Sequence, residues 1–187
     1  MALEYELREF TVDEYHRMAE AGILQPEERV ELLDGQLVHM SPIGHRHWAL
    51  HMRIAGYLHE TLPGAAIASQ GSFPLGARNE PQPDIAILAG SRDAYFEGRF
   101  SPKDLLVVIE LADSSLAKDL GPKLALYARY RVADYLVVDI ERNVLLHYSE
   151  PNDLGYAKTA TLARGDTMTL QCFPAVQFSV TELLLPP

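Results

Sequence analysis

The chain has 187 residues, a length that fits one domain with a sizeable core. Its 48% apolar and 22% charged residues are those of a soluble globular protein, and no run approaches the ~20 apolar residues that a bilayer crossing needs. A net charge of −10, from 26 acidic and 16 basic residues, argues against a long electrostatic footprint on nucleic acid, but leaves room for basic residues gathered on one face.

The start, Met1-Ala2-Leu3-Glu4-Tyr5-Glu6, has neither a basic nor an apolar leader segment, so no signal peptide is expected. The single cysteine, Cys172, excludes an internal disulfide and is expected as a small buried hydrophobe in the strand-like run Met168 to Phe173. A cytoplasmic protein with one α/β domain over residues 1–187 is the expectation.

Thr11 with Glu14 three residues later forms a capping-box pattern, predicting a helix that Gly22 ends. Asp34-Gly35 between Arg29–Leu33 and Gln36–Met40 predicts a hairpin with a type I′ turn. A helix is predicted from His45 to Leu62, closed by Pro63-Gly64, then strands at 65–70 and 84–88. Residues 90–104 read as a surface loop, and Leu105 to Leu111 as a strand. Leu116 to Arg131 has helical spacing, with Gly121-Pro122 either inside the helix or marking its first turn. A second hairpin is predicted over 135–148, then strands at 156–162 and 167–171.

Two acids stand out against this background. Asp84 follows Pro83 at the head of one apolar run, and Glu110 closes the wholly apolar Leu105–Ile109. Carboxylates brought together on neighbouring strands make a hard, oxygen-lined site suited to Mg²⁺ or Mn²⁺. A lysine nearby can neutralise charge on a phosphate or help activate a water. Lys123 aligns by helical spacing with Leu116, Leu120 and Tyr127, an apolar stripe unusual for a free lysine. Its bland alternative is an i, i+4 pair with Asp119. Glu31, on the first hairpin, is either solvated or part of an acidic shell.

Glu31-Leu32-Leu33-Asp34-Gly35-Gln36-Leu37, His47, Pro83-Asp84, Glu110, Asp119-x₃-Lys123, Tyr127 and Asp134–Asp139, in this order and spacing, resemble the Uma2 family. These are small bacterial proteins once described as a domain of unknown function and related to PD-(D/E)XK nucleases. The resemblance runs from about Thr11 to Asp139. It implies a restriction-endonuclease-like core: a central mixed β-sheet flanked by helices, with the N-terminal helix and hairpin added. It further implies a divalent-metal-dependent endonuclease acting on DNA, with Asp84, Glu110, Lys123 and Glu31 as catalytic residues. Asp84, Glu110 and Glu31 are the expected ligands of Mg²⁺ or Mn²⁺, with the Leu111 carbonyl a further candidate. Where the usual pattern has a lysine two residues after the second acid, this chain has Ala112, and Lys123 is the expected substitute. A homodimer is expected, since nucleases of this fold often pair two sites.

Three alternatives bound that reading. A non-catalytic nuclease-fold protein that binds a partner, or assembles through its sheet edge, would suit the acidic charge and Ala112. A hydrolase of small phosphoesters would tolerate an acidic surface better than a duplex-binding enzyme. His47 and His51, with His45 just before them, have zinc-binding spacing, but Trp48 stands where a metalloprotease needs Glu, and His47 reads better as an active-site neighbour or packing residue. Neither a P-loop nor a Gly-x-Ser-x-Gly elbow is present.

Overall fold

Asp34 and Gly35 both adopt positive φ, 46° and 74°, the backbone a type I′ turn requires. They join β1 (Val30–Leu33) to β2 (Gln36–His39) in an antiparallel pair running from Val30–His39 to Leu33–Gln36. The computed structural model describes residues 7–25, 27–96, 98 and 100–187, so the Met1–Glu6 segment lies outside the described residues. Before the hairpin comes α1 (Val12–Glu20), opened by the expected capping box. The Thr11 hydroxyl accepts from the Glu14 N–H at 3.2 Å, and the Glu14 carboxylate accepts from the Thr11 N–H at 3.0 Å.

The centre of the molecule is a six-stranded sheet in the order β3 (Ala65–Ser69), β4 (Ile85–Ser91), β5 (Leu105–Ala112), β6 (Asp134–Asp139), β7 (Val144–Asn152), β8 (Gly155–Leu162). Only β5 and β6 run parallel, so the sheet is mixed as expected. Apolar side chains alternate to both faces, as strands buried on two sides require. One face packs Val107, Ile109 and Leu111 against Leu50, Ile54 and Leu58 of α2 (His45–Thr61). The other packs Val108 and Ala112 against Leu126, Tyr127 and Tyr135. Glu110 belongs to this second face by the period of two.

The helical segment between β5 and β6 settles the two readings of Gly121-Pro122. It is helical from Leu116, as α3 (Leu116–Lys118), a π-helical turn (Asp119–Lys123) and α4 (Leu124–Arg129). Pro122 lies inside rather than at a helix start. Proline removes one backbone donor and crowds the carbonyl four residues back, and the wider turn accommodates both.

Three further expectations need correction. The 90–104 loop contains two 3₁₀ turns, Arg92–Tyr95 and Pro102–Asp104. After β9 (Thr167–Leu170) the chain makes another strand, β10 (Phe173–Ser179), which pairs back on β9 through an irregular register. Pro174 hides that strand in the sequence, because proline is a poor strand signal. Cys172 therefore sits half-buried in a turn, not within a buried strand, and burial followed by the nearby Asp134 pushes its thiol pKa up.

Gly35 is held on both sides. Its N–H donates to the Arg78 carbonyl and its own carbonyl accepts from Phe10, each at 2.8 Å. A Cβ there would stand 2.6 Å from the Glu9 Cβ. Gly35→Ala is expected to destabilise the chain by about 1–3 kcal/mol through left-handed strain and this close approach. Urea unfolding measures it, and an unchanged midpoint would show the turn to be looser than described.

Candidate active site

The β4–β5 register brings the two expected acids together. Ile85 opposes Ile109, so Asp84, one residue before β4, stands opposite Glu110. The Leu111 N–H donates to Asp84 Oδ2 at 2.8 Å, fixing one carboxylate oxygen. The other, Oδ1, lies 3.1 Å from His47 Nε2 on α2. His51, one turn along, places its Nε2 3.1 Å from the Asp84 carbonyl. The histidine pair thus clasps Asp84 at its carboxylate and its carbonyl. The other ring nitrogen of His47, Nδ1, is buried with no hydrogen-bond partner among the described residues. With the proton on Nε2, His47 donates to Asp84.

Glu110 is nearly sealed from solvent, and its Oε1 accepts from Lys123 Nζ at 2.9 Å and from the Tyr127 hydroxyl at 3.2 Å. Among the described residues no hydrogen bond uses Oε2, and Glu110 lines the cleft. Lys123 also lies 3.0 Å from Glu31 Oε2, so one buried ammonium bridges two carboxylates from different elements. Its i, i+4 neighbour Asp119 makes no ion pair with it among the described residues; Asp119 instead accepts from the Ser115 hydroxyl at 2.5 Å.

Glu31 has a different surrounding from the one expected. It is fully buried, its Oε1 bonded to Lys118 Nζ at 2.8 Å. Its Oε2 takes the Gln82 N–H at 3.1 Å as well as Lys123. Both oxygens are engaged, and Glu31 does not line the cleft. It stands behind the lysines rather than beside the acids.

Lys118 is the residue that the sequence reading missed. On a regular α-helix it would project about 140° away from Lys123, five residues on. The π-helical turn adds a residue, stacks positions five apart, and brings both ammonium groups to Glu31. Two lysines five apart around Gly-Pro were the available signal. Asp119 was weighed only as a partner for Lys123, and the same turn carries it into the cleft wall.

The electrostatics follow from crowding four carboxylates with two ammonium groups. Desolvation pushes the Glu110 pKa well above its ordinary 4.5, and repulsion from Asp119, Asp84 and Glu31 adds to it against the pull of Lys123. Burial also raises Asp119. Burial would raise Glu31 too, but Lys123 and Lys118 outweigh it and hold its pKa below the usual range. Burial would depress Lys123, yet Glu110, Glu31 and Asp119 overcome this and keep it charged.

The cleft above these groups has about 40 Å³ accessible to water-sized molecules, bordered by Arg29, Ile43, Asp113 and Ser114 as well as the residues described. That holds a small hydrated ion better than an organic cofactor. Among the described residues no three His, Cys, Asp or Glu side chains form a closed metal cage. Asp84 and Glu110 nonetheless fit Mg²⁺, which takes one or two carboxylates and keeps several waters. The two negative charges left over suit a divalent cation.

A mixed sheet with paired acids beside a helical lysine defines a restriction-endonuclease-like fold. The same fold is seen in the crystal structure of a "putative nuclease belonging to DUF820" from Anabaena variabilis ATCC 29413, which superposes with a TM-score of 0.72 over 93% of this chain and 97% of that one, at 13% identity. The model of the Uma2 family, described as "Putative restriction endonuclease", matches residues 12–181, and the chain belongs to that family. The match reaches past Asp139 through β7 to β10. Comparison with the curated proteins gives no match.

Replacing Lys123 with Met removes the shared charge while keeping much of the side-chain length. It strands two buried carboxylates, and the expected loss of stability is about 3–5 kcal/mol near pH 8. Glu110 is an acid with a raised folded pKa, so the native state binds more protons than the unfolded state above pH 4.5. Stability gained from its protonation rises as pH falls towards that value, and more steeply without Lys123. The deficit of Lys123→Met should therefore shrink at pH 5, as read by urea midpoints at the two pH values. An equal deficit at both would count against a buried charge network.

Proposed function

We propose that the chain is a divalent-metal-dependent endonuclease that hydrolyses DNA phosphodiester bonds. The observation carrying this reading is the Asp84–Glu110 pair on opposed strands, with Lys123 on Glu110. Ala112, where the usual pattern has lysine, is no obstacle to it. Lys123 supplies an ammonium from the following helix at 2.9 Å from the acid, which weakens the main sequence argument for an inactive scaffold.

The roles divide by exposure. Asp84 and Glu110 would hold the cation, Mg²⁺ or Mn²⁺, through oxygens at the cleft, and such a cation would supply Lewis-acid polarisation of a phosphate and a water of lowered pKa. Lys123 is locked between Glu110 and Glu31, so it keeps Glu110 in place and supplies a fixed positive field. Lys118, also held by Glu31 but 18% exposed, is the lysine better placed to meet a phosphate oxygen. His47 orients Asp84. Glu31 acts through the two lysines as a positioning residue, not as the metal ligand the sequence reading made it.

Asp84→Asn and Glu110→Gln should each reduce Mg²⁺- or Mn²⁺-dependent cleavage of plasmid DNA by at least about 100-fold while leaving circular dichroism unchanged. Glu31→Gln should lose about 10- to 100-fold, with metal affinity less affected than in Asp84→Asn. Cleavage assays together with calorimetric metal titration read both. Cleavage that survives both acid substitutions, or that proceeds in excess chelator, would overturn the proposal.

A further inference from the structure

Trp48 is the chain's only tryptophan, and 55% of it is exposed. It follows His47, which touches Asp84, in the first turn of α2. Met52, one turn further on and 50% exposed, lies beside it on the helix surface. Ile43, just before the helix, is also exposed and forms part of the cleft border. Among the described residues no aromatic ring stacks on Trp48 and no guanidinium lies over it. A large aromatic face is thus left open one residue from His47, which lines the acidic cleft.

The charge distribution limits what can lie there. The first turn of α2 carries Arg46 without an acid, and Arg29 borders the cleft. These two guanidinium groups can meet one or two phosphates. A net charge of −10 argues against drawing affinity from a long track of phosphates, as duplex binders do. Stacking of a base on an aromatic ring supplies affinity without further cations, about 5- to 150-fold per base. It requires a base whose face is free, which an intact duplex does not offer.

We propose that Trp48, flanked by Met52 and Ile43, is a stacking platform for an unpaired base next to the phosphate held in the cleft. The preferred substrate is then a single strand, or a frayed or flapped end, over continuous duplex. This rests on the endonuclease reading for the position of the phosphate, but it is tested by binding rather than cleavage.

The whole chain is titrated with a fluorescein-labelled oligothymidylate of about 12 nucleotides, and with a duplex of equal length, in chelator so that nothing is cut. Fluorescence excited at the red edge, where the nine tyrosines do not absorb, reports Trp48 alone, and anisotropy of the labelled strand reports affinity. The expected result is saturable quenching by the single strand, a weaker effect of duplex, and a 5-fold or greater loss of affinity in Trp48→Ala. Trp48→Phe should recover most of that loss, because it keeps an aromatic face. Sedimentation of Trp48→Ala should match the parent. Equal affinity in Trp48→Ala and parent, no binding of the single strand by the parent, or a change of oligomeric state on substitution would each refute the platform; the last would make the patch a protein contact. Strand binding through Trp48 without metal-dependent cleavage would leave the platform standing and remove the endonuclease reading. Cleavage with an unchanged KM in Trp48→Ala would do the reverse.

Discussion

Lys123 carries its charge to a place where water cannot follow. An unpaired ammonium there would cost several kcal/mol, so the surrounding structure is arranged around its two carboxylates. Glu110 comes from the central strand β5 and Glu31 from the hairpin β1–β2, which lies outside the main sheet. The Gln82 N–H and Lys118 occupy the rest of Glu31, while the Tyr127 hydroxyl joins Lys123 on Glu110 Oε1 alone. One buried cation therefore ties the hairpin, the sheet and the helical segment into a single unit. The π-helical turn is what allows both lysines to take part.

The network is not electrically balanced, and the imbalance has chemical meaning. Glu31 is satisfied by two lysines, whereas Glu110 shares its lysine and faces three other acids. Burial first, and repulsion from those acids second, hold its pKa well above the ordinary carboxylate range. A site tuned for stability alone would hold fewer acids or more lysines. The excess of acids lies at the cleft, which Asp84 and Glu110 both line.

Much of this was legible in the sequence, for identifiable reasons. Asp34-Gly35 dictates its turn through backbone sterics alone, and Thr11 with Glu14 dictates a helix start. Glu110 stands out because the other residues of its strand are apolar, and Asp84 because it opens the neighbouring strand. Lys123 was visible as a charge on an apolar stripe. Lys118 and the role of Asp119 were not, because α-helical periodicity turns them away from Lys123 and the proline-induced π turn is invisible to that periodicity. Glu31 was found, but its two lysine partners were not, since nothing local tells an acid what will face it. The last strand, β10, went unread because Pro174 breaks the strand pattern and no turn signal precedes it.

The Glu31–Lys118 contact joins residues 87 positions apart in the chain. Closing so long a loop is entropically slow and is rewarded only once the hairpin, the sheet and the helical segment are all in place. The charged pocket thus depends on the docking of all three elements. During synthesis the hairpin emerges well before the lysines that must dock on it, and the two acids cannot be completed until both have met. The cluster of Glu31, Lys118 and Lys123 therefore reports on the whole fold at once: it is complete only when all three elements have docked.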